Sequence, residues 1–389
     1  MPPTVHYLSH GATTGYGEAG RRMVLALEAA GAKVRWTPIT FDPSGPLFAD
    51  EQVVVPALEH LRRRSFSADV AVVHAIPEMI ANVRPLAEGS TFVSHTVWET
   101  DRLQPHWPAL LEEVDGVIVP TEWNAEVFRT SGVTAPVEVV PHVADQVRGD
   151  QAIDVAWLPE RARPGQDQGP VLLSVAEWQP RKAPWLTLEA YARAFDRDDD
   201  VLLVLKTGER VWGHMVDPAD ASPRRDHTSW AVAKAVGRLG PLPPLHLVDR
   251  WITPGQMAGL HEAADAYVSL PHGEGWDLGA FDAATRGTPV VTTGWGAPAT
   301  YLDPAASWLV PGELVPVPAL PGDATPGEGP GRWVDPDLDA AAEALREAVD
   351  LGAERRAAVA AQAERLRTTY APEAVAATFL EAVGRIHGA

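Results

Sequence analysis

The stretch Leu270–Trp295, LPHGEGWDLGAFDAATRGTPVVTTGW, constrains the fold more than any other part of the chain. Tyr267–Leu270 is a short apolar run that stops at Pro271. The two glycines of His272-Gly273-Glu274-Gly275 permit a tight turn or the close approach of a ligand. Leu278–Arg286 then reads as a helix closed by Gly287, and Thr288–Thr293 as the next buried strand. A turn that leaves a parallel strand and opens a helix presents free N–H groups and the positive helix end, which is where α/β sheets take anions. Glu274 lies in the turn and Asp282 eight residues on. At ~3.6 residues per turn, both acids fall on one side. Two acids so placed suit hydroxyl groups flanking a phosphate. They equally suit a helix cap at Glu274 and a solvated Asp282.

At 389 residues the chain exceeds what one core normally holds, so two domains are expected. There is no cysteine, which excludes disulfides, thiolate metal sites and cysteine nucleophiles. No stretch approaches the ~18 apolar residues of a membrane span, and no basic-then-apolar signal opens the chain, so a cytoplasmic protein without stable membrane insertion is expected. A net charge of −20 argues against nucleic acid and anionic lipid as partners, and Arg62-Arg63-Arg64 reads as a solvated face. Trp is abundant, at 14 residues, and suits stacking on sugar rings, though most are expected in cores.

In chain order, Val5–Leu8 reads as a first buried strand. The loop Ser9–Gly20, rich in glycine, leads to a helix over Arg21–Ala30. Lys33–Pro38 is a strand, Glu51–Arg64 a helix, Ala68–Ala75 a strand, and Thr91–Ser94 a strand that delivers His95 to a carboxyl end. Asp115–Pro120 is a strand, Thr121 caps a helix running through Thr130, and Val137–His142 closes the first domain. This places a first domain at 1–150 and a Pro/Gly-containing linker at 151–170. A second domain follows at 171–366, and a last helix at 367–389. The second domain opens with the strand Val171–Val175, then Arg181-Lys182, a helix over Leu186–Phe195, and a strand over Val201–Leu205 ending at Lys206. Residues 207–230 read as a polar insertion and 316–331 as an exposed loop. His246–Val248 is a strand, and Pro254–Ala264, Leu338–Leu351, Glu354–Leu366 and Pro372–Ile386 are helices.

Glu274-Gly275-Trp276, Phe281-Asp282-Ala283 and Gly287-Thr288-Pro289-Val290-Val291 together resemble the E-x7-E signature of the large retaining glycosyltransferase family of GT-B fold, family 4 type. DGVIVPTEWNAEVFRTSGV and VEVVPHVAD resemble a further stretch of it. The second acid is Asp282 here, and Asp277 stands where that pattern usually has glycine. The resemblance implies an α/β GT-B architecture, two Rossmann-like domains facing each other across a deep cleft, with the last helix returning to the first domain.

It further implies transfer of a hexose from a UDP- or GDP-linked sugar to a small soluble acceptor, with retention of configuration and with neither cofactor nor metal. By the same resemblance Lys182 holds the donor diphosphate, Glu177 stands where the family has an Arg, and Arg181 or Lys206 replaces the missing charge. Glu274, Gly275, Trp276, Asp277 and Leu278 line the donor sugar and phosphate, and Asp282 meets the ribose. Gly15 and Gly17 face the cleft from the glycine loop, His95 contacts the sugar, and Trp98, Glu99 and Asp101 line the acceptor side. An acid at 277 opposes phosphate, so it is expected to point outward or to meet a cation. The competing expectations are a sugar-nucleotide-binding protein without catalysis and a GT-B-like epimerase. A monomer or homodimer is expected.

Overall fold

Short runs of Val, Leu and Ile bounded by turn residues become parallel strands buried on both faces. The structure, a computed structural model, describes residues 2–11, 14–40, 47, 56–146, 158–160, 169–212, 215–217, 219–318 and 331–389. The first half contains β1 (Val5–His10), α1 (Gly15–Ala29), β2 (Val34–Ile39), α2 (Glu59–Arg62), β3 (Val70–His74) and α3 (Ile80–Val83). It continues with β4 (Thr91–His95), α4 (Trp107–Leu111), β5 (Gly116–Val119), α5 (Glu122–Thr130) and β6 (Val137–Val139). The strands form one parallel sheet in the order β2-β1-β3-β4-β5-β6.

The second half begins with β7 (Val171–Val175), α6 (Pro184–Ala194), β8 (Leu202–Lys206), α7 (Thr228–Leu239), β9 (Leu245–Val248) and α8 (Pro254–Ala263). Then come β10 (Ala266–Ser269), α9 (Leu278–Arg286), β11 (Val290–Thr293), α10 (Pro298–Tyr301) and β12 (Ser307–Val310). A hairpin of β13 (Gly312–Pro316) and β14 (Arg332–Pro336) precedes α11 (Leu338–Val349), α12 (Ala353–Thr369) and α13 (Pro372–His387). The second parallel sheet runs β12-β11-β10-β7-β8-β9.

The chain divides into two compact units, Met1–Ala144 with Leu366–Ala389, and Asp145–Arg365. In the first, Val375, Phe379 and Val383 of α13 enter the core formed by Val5, Tyr7, Val24 and Leu27. In the second, Leu172, Leu203 and Val268 of the sheet pack with Leu188 of α6 and Leu345 of α11.

Several elements differ from their sequence expectation. The helix α1 starts at Gly15, ahead of Arg21, because Thr14 caps it by accepting from Gly17 N–H at 3.2 Å. Gly15 and Gly17 are therefore first-turn residues of a helix. The first residues of α7 lie inside the stretch expected as a polar insertion, and Val232, just past that stretch, gives the helix an apolar anchor in the core. The strand β12 and the β13–β14 hairpin are too short to stand out by periodicity. Glu51–Val55, most of 151–170 and residues 319–330 lie outside the described residues.

Candidate active site

In the second sheet the strand order reverses between β7 and β10, and α/β sheets hold ligands beyond the carboxyl ends at such a point. Arg181 and Lys182 follow β7, and Glu274 follows β10. Arg181 Nη1 lies 3.0 Å from Glu274 Oε2, and Lys182 Nζ lies 2.7 Å from Oε1. Arg181 also donates to the Gly273 carbonyl at 2.8 Å, and its own carbonyl accepts from His272 N–H at 2.8 Å. The two loops are thereby joined. Glu274 is only 5% exposed. Burial pushes its carboxyl up, but Arg181 and Lys182 together outweigh that and hold it below the usual carboxylate range.

Asp277, not Glu274, caps α9. Its backbone is left-handed (φ 63°, ψ 81°), a region that Asp tolerates better than most residues, and its side chain accepts from Ala280 N–H at 3.1 Å. The expectation of an outward carboxylate is corrected: Asp277 is 6% exposed and its Oδ2 is buried without a hydrogen-bond partner. Burial, and secondarily the charge of Glu274, push its pKa up to about 6. Capping explains the inward turn, since the carboxylate reaches the free N–H groups only by folding over the helix start.

Gly275 and Trp276 are buried and Leu278 opens α9. The Trp276 ring lies 4.9 Å from both Phe281 and Tyr301, and the Tyr301 hydroxyl donates to the Trp276 carbonyl at 2.8 Å. Asp282 is 5% exposed, which removes the reading of a solvated acid. The helix sits very close to β10: a Cβ on Gly279 would lie 2.2 Å from the Tyr267 hydroxyl. Lys206 ends β8 and donates to the Thr207 carbonyl at 2.7 Å. Burial lowers its pKa to about 8 against the pull of Asp249 and Glu177. Glu177 accepts from Gln179 at 3.2 Å and from Trp212 at 3.1 Å. Arg181, rather than Lys206, joins Lys182 on Glu274.

In the first unit, His95 ends β4 and is fully buried. His74 ends the neighbouring β3, and the two residues are register partners. Their rings stack 3.9 Å apart at 4°. The Tyr7 hydroxyl lies 2.8 Å from His74 Nδ1 and 3.0 Å from His95 Nδ1. His142 lies 6.0 Å from His95, ring to ring. Burial, then neighbouring charge, holds His74 and His95 well below the usual imidazole range and His142 at about 3. Tyr16, between Gly15 and Gly17, sets its ring 5.5 Å from His74 and its hydroxyl 3.2 Å from Thr96 Oγ1. The start of α1 thus lies beside the histidines.

Trp98 Nε1 donates to Thr100 Oγ1 at 2.7 Å and to the Arg102 carbonyl at 2.5 Å, and its ring packs 4.5 Å from Trp107. Its indole therefore braces the loop. Glu99 and Asp101, on either side of Thr100 in the chain, are half-buried. Tyr7, Tyr16, His74 and His142 escape the sequence reading, yet a signal was present, since VAVVH, TFVSH and VEVVPH each close an apolar run with His.

No protein-family model matches the chain, and no curated protein matches its sequence. Solved structures do match its backbone. Sucrose-phosphate synthase (tll1590) from Thermosynechococcus elongatus superposes with a TM-score of 0.67 at 16% identity, over 99% of this chain and 99% of that one. Anabaena Alr3699/HepE in complex with UDP-glucose gives 0.67 at 12% identity, over 98% and 100%. The Escherichia coli protein described as trehalose-6-phosphate bound with UDP-2-fluoro glucose gives 0.65 at 13%, over 99% and 99%. The fold is GT-B. Each half of the GT-B chain thus carries a cluster of polar groups at its strand ends, an ion-paired one in the second unit and an imidazole one in the first. Among the described residues no helix is long and apolar enough to cross a membrane.

Proposed function

We propose that this chain is a retaining glycosyltransferase of family 4 type that moves a hexose from a nucleotide diphosphate sugar to a small soluble acceptor. The observation that carries the reading is the Arg181–Glu274–Lys182 cluster at the switch point of the second sheet, at 3.0 and 2.7 Å. Two backbone neighbours are described as bound to UDP-glucose and UDP-2-fluoro glucose, which supports a donor of that class.

In this reading the first unit serves the acceptor and the second the donor, with 151–170 as the connection. Departure of the diphosphate develops negative charge. Arg181 and Lys182 meet it, and preorganised charge of this kind is commonly the largest catalytic term. Glu274 keeps both cations aligned while the site is free, and accepts from donor-sugar hydroxyls once phosphate engages the cations. Asp282 accepts from the ribose, His95 meets a sugar hydroxyl, and Gly15 and Gly17 let the start of α1 approach the ligand. Glu99 and Asp101 face the acceptor. The positive charge comes from side chains, so no metal is invoked. The presence of Glu177 in place of the family's Arg favours, as a second reading, binding of a sugar nucleotide without transfer.

A thermal-shift panel of UDP- and GDP-sugars, followed by transfer and hydrolysis assays, tests this. A donor should raise the melting temperature and be turned over, and Lys182→Ala or Glu274→Ala should lower kcat by about 10²–10³-fold. Binding without turnover would leave the second reading, and interconversion of donors without acceptor would indicate an epimerase.

A further inference from the structure

Two adjacent strands of the first sheet end in histidines that are register partners, so their side chains leave the same face roughly 4.8 Å apart before the rings close to 3.9 Å. Tyr7, two residues before Ser9, the register partner of His74, sits on that face. Its hydroxyl reaches both Nδ1 atoms and has no other hydrogen-bond partner among the described residues. The helix α1 covers this point so closely that a Cβ on Gly20 would lie 2.7 Å from Ser9 Oγ and 3.5 Å from His74 Nδ1. The network is thus closed in by backbone.

A hydroxyl carries one proton. Facing two Nδ1 atoms, it donates to one and accepts from the other. Accepting from both would leave a buried O–H unmet, which costs the full desolvation of that group. We infer that Tyr7 fixes His74 and His95 in opposite neutral tautomers, so that one Nε2 presents a lone pair and the other a proton. The hydroxyl, 2.8 Å from His74 Nδ1 and 3.0 Å from His95 Nδ1, donates to one ring and accepts from the other.

Both Nε2 atoms are buried and meet no hydrogen-bond partner among the described residues. The described residues hold no group of three or more His, Asp or Glu side chains placed to share a metal ion. A donor and an acceptor side by side match a hydroxyl group, which gives one hydrogen bond and takes another. This part rests on the proposed function, in which the hydroxyl belongs to a sugar. Tyr7 is then a positioning residue: it acts through His74 and His95 by deciding which Nε2 carries the proton.

The direct test is long-range ¹H–¹⁵N correlation on protein labelled at histidine, with His74→Gln and His95→Gln spectra assigning the two rings. At pH 7 the wild type should show both rings neutral, one with its proton on Nδ1 and the other with its proton on Nε2. Tyr7→Phe should abolish the difference, moving the Nδ1 proton of the one ring to its Nε2. Two rings of the same tautomer in the wild type would overturn the inference, and that spectrum requires no variant to fold. Where a donor is turned over, Tyr7→Phe should lower kcat about tenfold, the size of one lost hydrogen bond. An unchanged kcat would refute the positioning role. If no donor is turned over while the tautomers differ as stated, the proposed function fails and the tautomer lock stands.

Discussion

Asp277→Asn separates the charge of this residue from its structural work. Asn keeps an acceptor for Ala280 N–H and tolerates the left-handed backbone, so cap and turn survive. Only the charge is lost. In the fold, burial first and Glu274 second raise the Asp277 pKa from 3.8 to about 6. A carboxyl with a raised folded pKa contributes stability that is fully present below its unfolded pKa and is lost as pH climbs through the folded one. The window is therefore about pH 3.8 to 6. At about 1.36 kcal/mol per pH unit, the charged form destabilises the fold by about 3 kcal/mol at pH 7 and about half that at pH 5. The Asn variant should thus exceed the parent by roughly 2–3 kcal/mol at pH 7, or about 5–10 °C in Tm. Its advantage should shrink toward pH 5. Urea unfolding followed by Trp fluorescence at pH 5.0, 6.0 and 7.5 measures this. Equal stability of the two proteins at pH 7.5, or an advantage that does not vary with pH, would refute the reasoning.

Other outcomes follow from the same geometry. Gly279→Ala should destabilise the second unit by about 1–3 kcal/mol through overpacking against the Tyr267 hydroxyl, and Tyr267→Phe in the same chain should recover part of the loss in denaturant melts. Lys206 should titrate near pH 8 when followed by NMR of its reductively methylated amine, because burial disfavours its charged form, and a value near 10 would contradict that burial.

Much of the second unit was legible because its signals are local. The helix Leu278–Arg286 and its Gly287 stop follow from short-range preferences that the fold leaves intact. Thr121 as a cap is another such case. The start of α1 was misread because glycines normally mark a loop, whereas Thr14 capping and packing over Ser9 outweigh their weak helix propensity. The helix α7 was passed over because polar neighbours mask an apolar face whose worth appears only against the core.

The sequence by itself determined an alternation of buried strands and helices in two halves, and the placing of His95 at a strand end and of Lys182 and Glu274 beyond strand ends. Period and turn chemistry suffice for that, since they act over a few residues. Only the tertiary structure decided that Arg181 rather than Lys206 joins Lys182 on Glu274, that Asp277 turns inward, and that Tyr7 bridges His74 and His95. These depend on which strands lie side by side and in what register, and long-range pairing leaves no local trace in the chain.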